Sequence, residues 1–137
     1  MGMMVKIYCK NCGYDVNAAF GEGMFSSMMN HENQSGYIAA AKNGSLGKDI
    51  QKIVNENADV YIAKAPAIAI CSKCGAIEHT EDFMVYVNHH YKKREKHFKK
   101  CKKCGGDAEI FDEASIHDAI CPKCHEKIGV MFAGLWD

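Results

Sequence analysis

The chain has 137 residues, 47% of them hydrophobic and 25% charged, and its 17 basic and 17 acidic side chains give a formal charge of zero. That length fits one ordinary domain or two small ones, and small ones need disulfides, metals or oligomerisation to be stable. No run approaches the ~18 apolar residues of a membrane span, and the first residues lack the apolar centre of a secretory signal. The expected setting is therefore the cytoplasm, where thiols stay reduced.

The eight cysteines come as four Cys-x-x-Cys pairs: Cys9/Cys12, Cys71/Cys74, Cys101/Cys104 and Cys121/Cys124. Residues 13–70 separate the first two pairs and residues 105–120 the last two. Inside 13–70 the chain reads as partly helical. Asn30–Gln34 is polar and reads as a loop. Ser35–Asn43 reads as a helix stopped by Gly44, and Gly47–Asn57 carries Ile50, Ile53 and Val54 as one apolar helical stripe. Ala58–Ile70 reads as extended chain broken at Pro66, and Glu81–Val87 as an alternating strand. Asn88–Lys100 has no aliphatic residue and reads as a basic linker, loop or short helix. The expected organisation is thus a metal-held unit over 1–88 with a helical insertion at 13–70, a linker at 89–100 and a compact unit at 101–137.

Two thiolates separated by two residues can reach one cation from a tight turn whose backbone amides point at the sulfurs. The residue after the second cysteine is expected in the left-handed region, which glycine enters without steric cost. Gly13, Gly75 and Gly105 occupy that place, and His125 takes it in the fourth knuckle. Lysines between the cysteines (Lys10, Lys73, Lys102, Lys103 and Lys123) read as offsets to thiolate charge rather than phosphate contacts. Redox dithiols are disfavoured, because each pair is followed by Gly or His and has sister pairs elsewhere. Short, unthreaded connections predict that the first knuckle joins the second and the third joins the fourth. A four-thiolate zinc site carries two net negative charges, so two would bring the loaded protein to about −4. Bulk charge therefore gives no reason to expect nucleic-acid binding.

Cys101-Lys102-Lys103-Cys104-Gly105-Gly106 with Cys121-Pro122-Lys123-Cys124 resembles the zinc ribbons in their compact form. Cys9-Lys10-Asn11-Cys12-Gly13-Tyr14 resembles the first knuckle of rubredoxins, and Cys-Pro-x-Cys their second. Rubredoxins bind iron in the same four-sulfur geometry, so the ligand set leaves iron as the alternative to zinc. Here those two knuckles lie at opposite ends of the chain, and His125 replaces their glycine. Residues 8–87 also resemble small uncharacterised bacterial proteins in which a Cys-x-x-Cys-Gly-Tyr knuckle precedes a glycine-bearing helical insertion and a second Cys-x-x-Cys-Gly. That resemblance implies a ribbon fold and no activity.

Other features have competing readings. His89 and His90 could begin a third metal site, but adjacent histidines on a polar linker read better as solvated. His125 could replace a cysteine ligand, but four cysteines already close a tetrahedron. Lys92–Lys103 holds eight basic residues and one acidic one, with Tyr91 and Phe98 interleaved. It could track a phosphate backbone, yet the acidic residues of Gly105–Ile120 are the preferred counterweight. Met24, Met28 and Met29 with Phe20 and Phe25 could form an adaptable partner surface, although core filling is preferred. Gly21-Glu22-Gly23 is too short for a phosphate loop, and no catalytic constellation emerges.

The expectation is an α+β protein of tandem rubredoxin-like knuckles, the first with a helical insertion, holding two zinc ions through all eight cysteines. It is not expected to be an enzyme. An adaptor for an unidentified protein partner is the first expectation; a nucleic-acid-binding module using 92–103 and a rubredoxin-like iron electron carrier are the alternatives.

Overall fold

The computed structural model describes residues 2–21 and 23–136, and it is an α+β fold with three helices and two antiparallel sheets among those residues. In chain order the elements begin with β1 (Gly2–Tyr8), β2 (Asp15–Gly21), α1 (Met24–Glu32), α2 (Gln34–Lys42), α3 (Lys48–Glu56), β3 (Val60–Cys71) and β4 (Ile77–Val87). There follow β5 (His90–Lys92), β6 (Phe98–Lys100), β7 (Asp107–Phe111), a 3-10 turn at Ile116–Asp118 and β8 (Gly129–Trp136). The small sheet runs β2-β1-β8 and the large one β5-β4-β3-β7-β6.

β3 organises the molecule because its two faces are sorted by side-chain size. Successive residues of a strand point to opposite faces. Ile62, Ile68 and Ile70 fall on one face and Ala63, Ala65, Ala67 and Ala69 on the other, and all are buried. Two-sided burial explains the near-continuous apolar run. At one end the isoleucine face meets α2 and α3, where Ala41, Ile50 and Val54 pack with Ile62 and Val85. At the other end Ile68 and Ile70 pack with Val5, Ile7, Ala18 and Phe20 of the small sheet, together with Phe111, Ile116 and Ile128. In the small sheet the Tyr8 ring covers Gly129, where a Cβ would lie 2.4 Å from the ring.

Five expectations are corrected. Pro66 does not break β3, which runs unbroken to Cys71. It shares the edge alternation of Ile62 and Lys64, the edge that β7 takes up only from Ile68, so its missing N–H removes no ladder bond. Asn30–Gln34 is not a loop, since α1 runs to Glu32 and α2 starts at Gln34. The reason is that two amides serve the open edge of β3. Asn30 accepts from the Lys64 amide at 3.0 Å and donates to its carbonyl at 3.2 Å; Gln34 accepts from the Ile62 amide at 3.0 Å and donates to its carbonyl at 2.6 Å. The strand expected from Glu81 begins at Ile77, and the insertion opens with a strand, β2, before its helices. Finally, Met24, Phe25, Met28 and Met29 do not fill the core: they are 65, 71, 56 and 40% exposed, whereas Phe20 is fully buried.

Helices at Gln34–Lys42 and Lys48–Glu56 fall where the sequence places them. The basic stretch 89–100 contains β5 and β6, which lie at opposite edges of the large sheet, so residues 93–97 carry the chain from one edge to the other. β7 pairs with β3 and β8 with β1, so both sheets draw strands from both sides of that stretch. No helix among the described residues is long and apolar enough to cross a membrane.

Candidate metal centres

Each Cys-x-x-Cys knuckle is a chain reversal closed by the same backbone circuit. The amide after the second cysteine returns to the first cysteine's carbonyl: Gly13 to Cys9 at 3.0 Å, Gly75 to Cys71 at 2.9 Å, Gly105 to Cys101 at 2.8 Å and His125 to Cys121 at 2.9 Å. The first cysteine's amide donates in turn to Tyr14, Ala76, Gly106 and Glu126, respectively. That circuit needs positive φ at its fourth step, and the values are 76°, 76°, 74° and, for His125, 64°. The sequence expectation for these four positions holds, histidine included.

Three knuckles sit in hairpin turns, β1–β2, β3–β4 and β6–β7, and the fourth leads into β8. The antiparallel ladders bring the β1–β2 turn to the start of β8, and the β3–β4 turn to the β6–β7 turn. Cys9, Cys12, Cys121 and Cys124 therefore form one group and Cys71, Cys74, Cys101 and Cys104 the other, each with its sulfurs within 4.8 Å of one another. This corrects the expected pairing of first with second and third with fourth. Sequence distance was the wrong guide, because ladder register outweighs the slowly growing cost of a long loop.

The sulfurs fit a tetrahedral ion. Cys9–Cys124 and Cys12–Cys121 are each 3.4 Å apart, and Cys71–Cys104 and Cys74–Cys101 are 3.5 and 3.7 Å apart. A disulfide would need about 2.05 Å. Four sulfurs held ~2.3 Å from a central ion lie at tetrahedron edges of roughly 3.8 Å. Two groups of four cysteines that could each hold a metal ion are thus in place, with no cysteine left over.

Electrostatics point the same way. The amides of Cys74 and Lys73 hold the Cys71 thiol down to about 7 against burial. The Glu126 amide and the Asn11 side chain draw Cys124 to about 6, and the amides of Cys104 and Lys103 lower Cys101. Neighbouring sulfurs lower these three further and raise Cys12 and Cys74 in return. Cys12 is pushed up to about 12 although the Tyr14 amide draws it down, because Cys121, Cys9 and Cys124 crowd it. Cys74 rises to about 11 despite the Ala76 amide, through burial and the sulfurs of Cys104, Cys101 and Cys71. Each group therefore ionises in part and then resists further charge, which a dication relieves.

The two centres are neighbours. The Tyr14 hydroxyl donates to the Gly75 carbonyl at 3.5 Å, Lys123 lies 5.6 Å above the Tyr14 ring, and Gly75 faces Pro122. The residue types of Asn11 and Tyr14 do not mark them as contributors; the sequence signal that does is their place inside or beside a knuckle. His125 serves the turn rather than the ligand set. Among the described residues, no third group of ligating side chains forms at His89 and His90.

The basic run is largely committed to ion pairs. Arg94, with its side chain 9% exposed, pairs with Asp82 at 2.8 Å and Asp49 at 3.2 Å and donates to the Phe83 carbonyl. Lys99 and Lys102 both meet Glu78, at 2.7 and 3.1 Å. The expected acidic counterweight, Gly105–Ile120, supplies Asp107 for Lys100 and Asp118 for Lys93; the other partners come from α3 and β4. No known protein family, curated protein or solved structure matches the chain.

Proposed function

We propose that this is a non-enzymatic protein-interaction adaptor whose fold is held by two structural zinc ions, one at Cys9, Cys12, Cys121 and Cys124 and one at Cys71, Cys74, Cys101 and Cys104. The observation that carries the reading is the convergence of four knuckles, far apart in sequence, into two closed four-sulfur sets at tetrahedral spacing. Zinc suits such a set because it has no geometric preference beyond four close ligands and prefers thiolate and imidazole donors. Its chemistry there is charge neutralisation. Four protein ligands fill the tetrahedron and leave no position for water or substrate, which favours structure over catalysis.

The adaptor half of the reading draws on α1. Met24, Phe25, Met28 and Met29 are exposed side by side on that helix, and flexible thioether and aromatic side chains make adaptable contact surfaces. The ion pairs of Lys93, Arg94, Lys99, Lys100 and Lys102 weigh against the nucleic-acid alternative.

Protein purified without added metal is expected to carry two zinc ions per chain by native mass spectrometry and to be colourless. A red iron protein bleached by reductant would replace the reading with an electron carrier. The second arm is a salt titration of fluorescent oligonucleotides, expected to give at most the weak binding of non-specific contacts, on the order of 10⁻⁴–10⁻⁶ M. Tighter binding at physiological salt would make the protein a nucleic-acid binder.

A further inference from the structure

We propose that the cavity between α1 and the open end of the β3–β4 hairpin is a receptor for an organic cation, an alkylated ammonium group. The cavity is independent of the cysteine centres. Its volume is about 550 Å³, and its wall includes Ser27, His31, Asp59, Tyr61, Tyr86 and His89. That size is within the range of small-ligand sites.

Three rings make the wall. His31 and Tyr61 have centroids 5.3 Å apart and planes inclined by 48°; Tyr61 and Tyr86 are 6.1 Å apart and inclined by 52°. Rings turned about half a right angle to one another form a curved wall. A flat base could lie parallel to one of them, whereas a compact, rounded cation can touch the electron-rich faces of several. Charge selects in the same direction. The Asp59 side chain stands exposed at the rim and makes no ion pair among the described residues, so its carboxylate is available to an ammonium head. The Gln34 amide, also on the wall, is spent on the Ile62 backbone.

The rim is held in place. The Asp59 carbonyl accepts the Asn88 amide at 3.0 Å, and Asn88 and His89 have φ of 51° and 67°. Positive φ at both centres of a two-residue hairpin turn favours Asn-Gly. Here histidine takes the glycine position, at some steric cost, and its side chain lines the cavity.

The test is a matched pair of probes, choline and its uncharged isostere 3,3-dimethylbutan-1-ol, titrated at pH 8 while amide and tyrosine signals are followed by NMR. Choline is expected to bind on the order of tenfold more tightly, as a desolvated cation–aromatic contact implies. Asp59→Asn, at an exposed position, is expected to narrow that preference without changing the fold. Tyr61→Ala and Tyr86→Leu, checked by circular dichroism, are expected to weaken binding further. A tripeptide bearing trimethyllysine identifies the source: tighter binding than choline puts the cation on a peptide chain, and equal binding puts it on a free small molecule. Equal binding of the two probes would make the cavity merely apolar and overturn the proposal. So would adenosine outcompeting choline, absence of saturable binding at tens of millimolar, or choline affinity unchanged in the folded variants.

Discussion

The cysteine group Cys9/Cys12/Cys121/Cys124 joins positions 109 and 115 residues apart, whereas Cys71/Cys74/Cys101/Cys104 joins positions 27 and 33 apart. Loop-closure entropy separates them little: a loop some three to four times longer costs only about 1 kcal/mol more. Structural zinc contributes roughly 10–16 kcal/mol in small peptides, an order of magnitude above that difference. The contrast therefore lies in what each group supports. The short-range group staples two hairpin turns of one sheet, whose β3 and β7 are already laddered together. The long-range group fastens β8, which no tight turn connects to its neighbour β1, and with it the small sheet that covers Ile68 and Ile70.

The largest expected effects come from breaking one group and sparing the other. Cys9→Ser with Cys124→Ser strikes one group, so native mass spectrometry is expected to show one zinc retained. Cys9→Ser with Cys71→Ser strikes both, and both ions are expected to be lost. The opposite pattern would restore the pairing of neighbours in sequence. In the same-group variant, hydrogen exchange is expected to lose protection in 2–21 and 129–136 while 60–92 stays protected.

The next effect leaves both metal groups intact. Arg94 is buried between Asp82 and Asp49, and replacing one partner of a buried ion pair leaves uncompensated charge. Arg94→Leu is expected to lower stability by about 3–5 kcal/mol in a denaturant titration, with two ions still bound. Lys93→Leu, whose pair with Asp118 is exposed, is expected to change it by less than about 1 kcal/mol. Equal losses would remove the distinction between the crossing segment and an ordinary surface.

Asn30→Leu comes next, at about 2 kcal/mol, because it strips the Lys64 backbone of both edge partners. Amide exchange at Lys64 is expected to accelerate, with Ile62 protected by Gln34; unchanged exchange would show that the amides do not hold that edge.

The smallest effect is one of pH. Burial pushes the Asp82 carboxyl up, but His97 and Arg94 outweigh it and hold the group below its ordinary value of 3.8. Asp82 therefore contributes stability above 3.8 that is lost as pH falls through its lowered native value. Asp82 raises His97 above its ordinary value of 6.5. His97 lies at ion-pair distance, 3.1 Å, although not aligned for a hydrogen bond. Its contribution is complete below 6.5 and is lost as pH rises through the raised value. Both are present between 3.8 and 6.5. In that window wild type is expected to exceed His97→Gln in denaturant midpoint, and the gap is expected to close above it. A gap independent of pH would leave His97 a packing residue.

Local chemistry was legible in the residues themselves. Cysteine spacing and the residue after each second cysteine foretold four identical turns, because a tight turn is closed by its own backbone; His125 adopts the left-handed conformation at 64° like its three glycine counterparts. The stripe Ile50, Ile53 and Val54 likewise marked α3, since periodicity reports a buried face. Partners across space were not legible. Cys9 meets Cys124 because β1 ladders with β8, a register that neither strand's sequence states. Pro66 persists in β3 because the edge it faces asks for no donor there, and Asn30 and Gln34 sit on helices, α1 and α2, from which their amides serve Lys64 and Ile62. Met24, Phe25 and Met28 had the composition of core and lie in solvent, since burial depends on whether another element arrives to cover them.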